Sequence, residues 1–257
     1  ASQLAVVRDV AAAADIAELS TDQIANLTNT ELQGLTSRQI NALNSDQVQA
    51  LSNTQIGLIA AKLTQMSDLS LSQVGSLDFS TLKNIQVTNL TDAQLQSLST
   101  TQLMQSPTDA SGDSLLKTLS GARVATLSLS QISSLGANIG ELDSTQVGAM
   151  TDSQLRSLSG AQLDAMAGTP DTLKDVDVTK LQNSQIAALT ITNLTDAQAG
   201  ALSAAQLRSL SAAQFAGMAD SQLGALTSGQ AAELTLSQVA ALSVAQLTAM
   251  TNRTGMT

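Results

Sequence analysis

From Ala199 to Thr254 the chain reads AGALSAAQ, LRSLSAAQ, FAGMADSQ, LGALTSGQ, AAELTLSQ, VAALSVAQ, LTAMTNRT, seven consecutive eight-residue units. Ile16 to Gln55 holds five more: IAELSTDQ, IANLTNTE, LQGLTSRQ, INALNSDQ and VQALSNTQ. The consensus is apolar-x-x-Leu-Ser/Thr-x-x-Gln. Working outward, isolated octads recur as LQSLSTTQ at Leu95, VATLSLSQ at Val124, and VGAMTDSQ with LRSLSGAQ from Val147. Thr88 to Gln94 (TNLTDAQ) returns as Thr192 to Gln198. That interval is thirteen octads and suggests duplication of a larger block. Internal repetition at a fixed short period is the signature of a solenoid, and it bounds the fold before any other consideration.

One octad contains a complete helix start. In Leu19-Ser20-Thr21-Asp22-Gln23-Ile24, Ser20 followed three residues later by Gln23 is a capping box. The serine oxygen accepts from the backbone N–H of Gln23, and Gln23 reaches back to the N–H of Ser20. Leu19 and Ile24 occupy the two positions of a hydrophobic staple. The next Ser or Thr restarts the pattern, so each helix has room for about one and a half turns. A continuous helix does not fit, because eight residues advance about 800° and the apolar stripe drifts by about 80° per unit. Strand alternation is missing as well, and Ala and Gln favour helix over strand. The fold expected is therefore mainly α: a solenoid of very short capped helices, one per eight-residue repeat, with a β-solenoid as the alternative. Helices this short are unstable alone, so the stacked apolar positions must supply the stability.

The charges follow the same logic. Asp22, Glu31, Asp46, Asp92, Asp152, Asp196 and Asp220 fall just after cap positions, while Arg156 and Arg208 fall late in their octads. Both placements suit the helix dipole. The expected domain is a single elongated array over 1–257, clearest at 16–55 and 199–254. The octad phase breaks at 103–123, 132–146 and 163–185, and the first and third breaks hold both prolines, Pro107 and Pro170. Such breaks read as longer turns or as insertions on one face.

Composition excludes much chemistry. The 257 residues include no Cys, His, Trp or Tyr, and the net charge is −10. Without His or Cys, the commonest general base, thiol nucleophile and transition-metal ligands are missing, and no phosphate-binding Gly loop appears. No enzyme is expected. An acidic chain with scattered Lys and Arg does not read as a nucleic-acid binder. No apolar run is long enough for membrane insertion. No cofactor is expected either. Asp109-Ala110-Ser111-Gly112-Asp113 places oxygen ligands around a glycine turn. Asp109 and Asp113 are thus candidate calcium ligands, with an ordinary polar turn as the competing reading. Asp171, Asp175 and Asp177 form a second acidic cluster. Asn26, Asn89, Asn193 and Asn252 lie in N-x-Thr sequons that the repeat itself generates.

These LTxxQ and LSxxQ octads resemble those of large, repeat-rich secreted or surface proteins of Gram-negative bacteria, described as adhesin- or haemagglutinin-like. The resemblance covers most of the chain on a motif of low complexity. It implies an extracellular or cell-surface setting and a scaffolding or adhesive role, and it carries no catalytic residue. The sequence begins at Ala1, which fits a processed secreted protein and a segment of a longer array alike. Solenoids normally finish with polar capping repeats. Here Val6, Val7 and Val10 near one end, and Leu247 and Met250 near the other, are apolar. These residues are the expected self-assembly ends, giving a homo-oligomer or polymer. The expected function is a filament or matrix subunit assembling end to end. The alternative is an adhesin or ligand-binding module that grips a glycan or surface protein.

Overall fold

The computed structural model describes residues 14–254, apart from 65, 109, 111, 169 and 170. The fold is mainly α, built of short α-helices and 3-10 turns, with no strand among the described residues. Most helices are four to seven residues long, as at Thr21–Ala25, Asn29–Gly34 and Asn53–Ile59. The β-solenoid alternative is therefore set aside. The chain divides into two compact units, Ala1–Leu119 and Ser120–Thr257.

Most of the α-helices start as the capping box requires. Ser20, Thr28, Thr36, Asn44 and Ser52 all sit in extended backbone and accept from the N–H three residues on. The corner that ends one helix and begins the next needs no glycine. Leu35 (φ −67°, ψ 140°) and Thr36 (φ −74°, ψ 158°) are simply two successive extended residues. That conformation is open to any L-residue. Among the described glycines, positive φ is confined to Gly112 (92°) and Gly136 (53°), both where the octad phase is broken.

If a side is the segment from one corner to the next, three sides make one turn of coil in each unit. In the first unit Thr21–Ala25 packs against Ser45–Ala50, and Asn29–Gly34 against Asn53–Ile59. Each of these pairs lies three octads apart. In the second unit Asp196–Ala201 packs against Asp220–Gly224, and Ala212–Ala216 against Leu236–Ala240. Each side sends two side chains inward. Ile24, Leu32, Ile40 and Val48 are 0% exposed, and Leu27, Leu35, Leu43 and Leu51 are 3% exposed. The core is thus a stack of thin aliphatic layers, which explains how a chain almost without aromatics fills its interior.

Where the octad is broken, the core motif persists. Asp78-Phe79-Ser80-Thr81-Leu82 is a five-residue side with a 3-10 turn over Phe79–Thr81. Phe79 and Leu82 are both 0% exposed. It keeps apolar-x-x-Leu and drops the x-x-Gln segment that the octad uses for its first helical turn. The sides 172–176, 177–181 and 190–194 do the same around Leu173, Val178 and Ile191. The 163–185 interruption is therefore largely two short sides. The 132–146 interruption holds the 3-10 stretch Gly136–Glu141, which buries Ile139 beside Leu142. In 103–123 the chain does leave the coil. A loop follows Leu103 and returns at Ser114, which caps the helix Leu115–Thr118.

Candidate functional site

The recurring polar feature is the corner glutamine, and it does more than close a capping box. The side-chain oxygen of Gln206 accepts from the backbone N–H of Ser203 at 2.8 Å. Its Nε2 donates to the carbonyls of Val178 (2.8 Å) and Leu181 (2.9 Å), on the side that ends at a corner one turn below. Gln238 repeats this on Leu207 (2.7 Å) and Leu210 (2.9 Å). Gln47, Gln55, Gln73, Gln94, Gln102, Gln154, Gln185, Gln198 and Gln222 also reach back to carbonyls of the turn below. A short helix leaves orphan N–H groups at its start and orphan carbonyls at its end. One carboxamide satisfies a member of each set on two different turns, which is why the residue is Gln. An ionised Glu can accept but cannot donate.

Other residues take over where the glutamine is absent. Lys62 in the four-residue side 60–63 donates through Nζ to the carbonyls of Gln33 (2.9 Å) and Leu35 (2.8 Å). Asn41 bridges the carbonyl of Lys62 (3.0 Å) and the N–H of Thr64 (2.7 Å). Asp164 accepts from the N–H and hydroxyl of Thr190 and from Asn193, each at 2.9 Å. Exposed ion pairs also tie turns together: Asp152 with Lys180 and Arg208 with Glu233, each at 2.8 Å. The hydrogen bond from Lys180 holds the Asp152 carboxyl below the usual carboxylate range, and Asp152 in turn raises the Lys180 ammonium.

Glycines admit the closest approaches between turns. A Cβ added at Gly160 would lie 2.6 Å from the carbonyl oxygen of Ala188, and one at Gly200 would lie 2.8 Å from that of Ala225. Gly57 and Gly75, by contrast, face open space.

The sequence-derived candidates fall as follows. Asp113 is in an ion pair with Lys117 at 2.6 Å. Asp109 lies outside the described residues. Asp177 accepts from the N–H (3.1 Å) and hydroxyl (2.6 Å) of Thr179, as a turn cap. Among the described residues no three acidic side chains gather as a metal site would need. The acids after the cap positions lie in first helical turns, Asp22, Glu31, Asp152 and Asp220 among them. Three of the sequon hydroxyls, Thr28, Thr91 and Thr195, serve as caps. Among the described residues no helix is long and apolar enough to cross a membrane.

Of the assembly candidates, Val6, Val7 and Val10 lie outside the described residues. Leu247 is 38% exposed, whereas Met250 is 6% exposed. The first described turn of the first unit and the last described turn of the second differ in coverage. In the first turn Ile24, Leu32 and Ile40 are fully covered. In the last turn Val239 and Leu247, at the same inward octad position, are 39% and 38% exposed. Leu236 (90%) and Val244 (81%), each just after a cap as Leu71 (51%) and Leu129 (47%) are, add to the apolar surface. The long-range role of the glutamine could not be read from the sequence, because the local capping box already accounts for the residue.

These features define a class: a three-sided solenoid of short helices stapled by corner carboxamides. No known family, curated protein or solved structure matches the chain.

Proposed function

We propose that this chain is a structural, non-catalytic protein, a filament or matrix subunit that joins other copies end to end. The observation that carries the reading is that the recurring polar side chains are spent inside the coil, on caps and on bonds between turns, as at Gln206 and Gln238. A coil whose polar side chains are spent on internal caps has a surface suited to spacing and stacking. The resemblance of the octads to repeat-rich surface proteins supports an extracellular or cell-surface setting. Sedimentation and negative-stain microscopy of the purified chain test this. Concentration-dependent end-to-end particles are expected, and a monomer that persists at high concentration would overturn the proposal.

The adhesin reading has its own supporting feature, the excursion after Leu103. Its start is pinned by Gln105, which accepts from the N–H of Phe79 at 2.8 Å, and by Thr108, whose N–H donates to the carbonyl of Leu82 at 2.7 Å; its return is pinned by Leu115, whose N–H donates to the carbonyl of Gln105 at 2.6 Å. Deleting the loop should abolish glycan or surface-protein binding without unfolding the coil. Binding that survives the deletion would remove this alternative.

A further inference from the structure

We infer that the coil of the second unit yields to tension one turn at a time, so that a structural chain held at both ends lengthens in steps and rewinds when the load falls. This mechanical role rests on the structural part of the reading above and not on its end-to-end contact.

Ties between turns are short in sequence. Gln198 reaches the carbonyl of Val176, 22 residues back, and Gln238 reaches that of Leu207, 31 residues back. The helix pairs agree, since Asp196–Ala201 packs on Asp220–Gly224 and Ala212–Ala216 on Leu236–Ala240, each in the next turn. A turn tied in this way is held by its two neighbours, and opening it leaves the ties among the remaining turns in place. The chain has no Cys, so no disulfide locks one turn to another. Helices of five or six residues do not survive alone, so a turn that lifts off its neighbour unravels into extended chain. Its glutamine ties sit at successive corners, and tension along the chain loads them in succession.

The way back is local. Each octad carries its own capping box, as at Thr195 with Gln198, Ser203 with Gln206 and Ser211 with Gln214. Both prolines lie before Asp171, at 107 and 170, so no proline isomerisation slows the rewinding of later turns.

The five-residue sides give this opening a signature. The turns 211–234, 190–210 and 172–189 hold 24, 21 and 18 residues. At about 3.5 Å per extended residue they release about 8, 7 and 6 nm of chain.

The test is optical-tweezers extension of the full chain through handles on Ser153→Cys and Ser237→Cys, both exposed positions. The trace should lengthen in successive steps that include these three unequal lengths, and relaxation should recover them within about a second. Adding Gln206→Glu, which cuts the tie from turn 190–210 to Val178 and Leu181, should lower the opening force at that junction and leave the 8 nm step where it was. One rupture that frees the whole length between the handles, an equal loss of force at every step in the variant, or steps that do not return would overturn the inference. If Gln206→Glu fails to fold, the step lengths and recovery of the double-cysteine chain decide. A chain that stays monomeric in the assembly measurements refutes the end-to-end contact and leaves stepwise opening standing.

Discussion

Gln206→Glu isolates the inter-turn half of the glutamine staple from its capping half. A carboxylate still accepts from the N–H of Ser203, as Glu31 accepts from the N–H of Thr28 at 2.8 Å. It cannot donate to the carbonyls of Val178 and Leu181, and at 2% exposure it has little water to turn to. Two hydrogen bonds, each worth about 0.5–1.5 kcal/mol net, are lost. A buried charge facing carbonyl oxygens brings the total cost to about 3–5 kcal/mol at neutral pH. The neutral carboxyl restores one donor, so the introduced group should titrate above its unfolded value of about 4.3. The sign follows from linkage. With the folded value raised, the proton-linked stability is fully present below about pH 4. It falls by up to about 1.4 kcal/mol per pH unit above that, and levels off once the folded group ionises. Urea unfolding followed by circular dichroism at pH 4 and pH 7 measures both limits. The same change at exposed Gln23, which meets no lower turn among the described residues, should cost less than about 0.5 kcal/mol. Equal effects at the two positions, or a Gln206→Glu deficit that does not depend on pH, would refute the staple.

Three further outcomes follow from the packing. Gly160→Ala should destabilise by about 1–3 kcal/mol, because the new Cβ meets the Ala188 backbone at 2.6 Å. Gly57→Ala, which faces open space within a helix, should stabilise by about 0.5–1 kcal/mol in the same thermal melts. Deleting residues 212–214 turns an octad side into Ser-Phe-Ala-Gly-Met, matching the five-residue side 190–194 one turn below. The chain should stay folded at a cost of about 1–2 kcal/mol for the lost Gln214 bond to Ala187, and an unfolded product would show that short sides are not interchangeable with octads. Lys180→Ala should raise the Asp152 carboxyl toward its ordinary value in an NMR titration. Stability should not change with it, since both groups are solvated.

The local half of this structure was legible because it is written in consecutive residues. Leu19-Ser20-x-x-Gln23-Ile24 specifies a cap, a box and a staple within six positions, and the helix Thr21–Ala25 begins where they say. What could not be read is how many sides close a turn, because that is settled by side chains far apart in sequence, such as Gln55 bonding to the carbonyl of Leu27. The five-residue sides escaped for a related reason. Asp177-Val178-Thr179-Lys180-Leu181 lacks the Gln that marks an octad, while its core pair Val178 and Leu181 looks like any apolar-x-x-Leu. The assembly candidates were legible as apolar positions, but coverage is a property of the stack. Sequence alone could not separate buried Met250 from exposed Leu247.

The three-sided register is tested most directly by a cysteine pair. Asn53 and Ser72 are exposed, and the Nδ2 of Asn53 lies 3.4 Å from the Oγ of Ser72 on the next turn. The account predicts that Asn53→Cys/Ser72→Cys oxidises to an intramolecular disulfide in dilute solution, detected by mass spectrometry after proteolysis. A folded variant in which both thiols stay free to react with maleimide would contradict the coil.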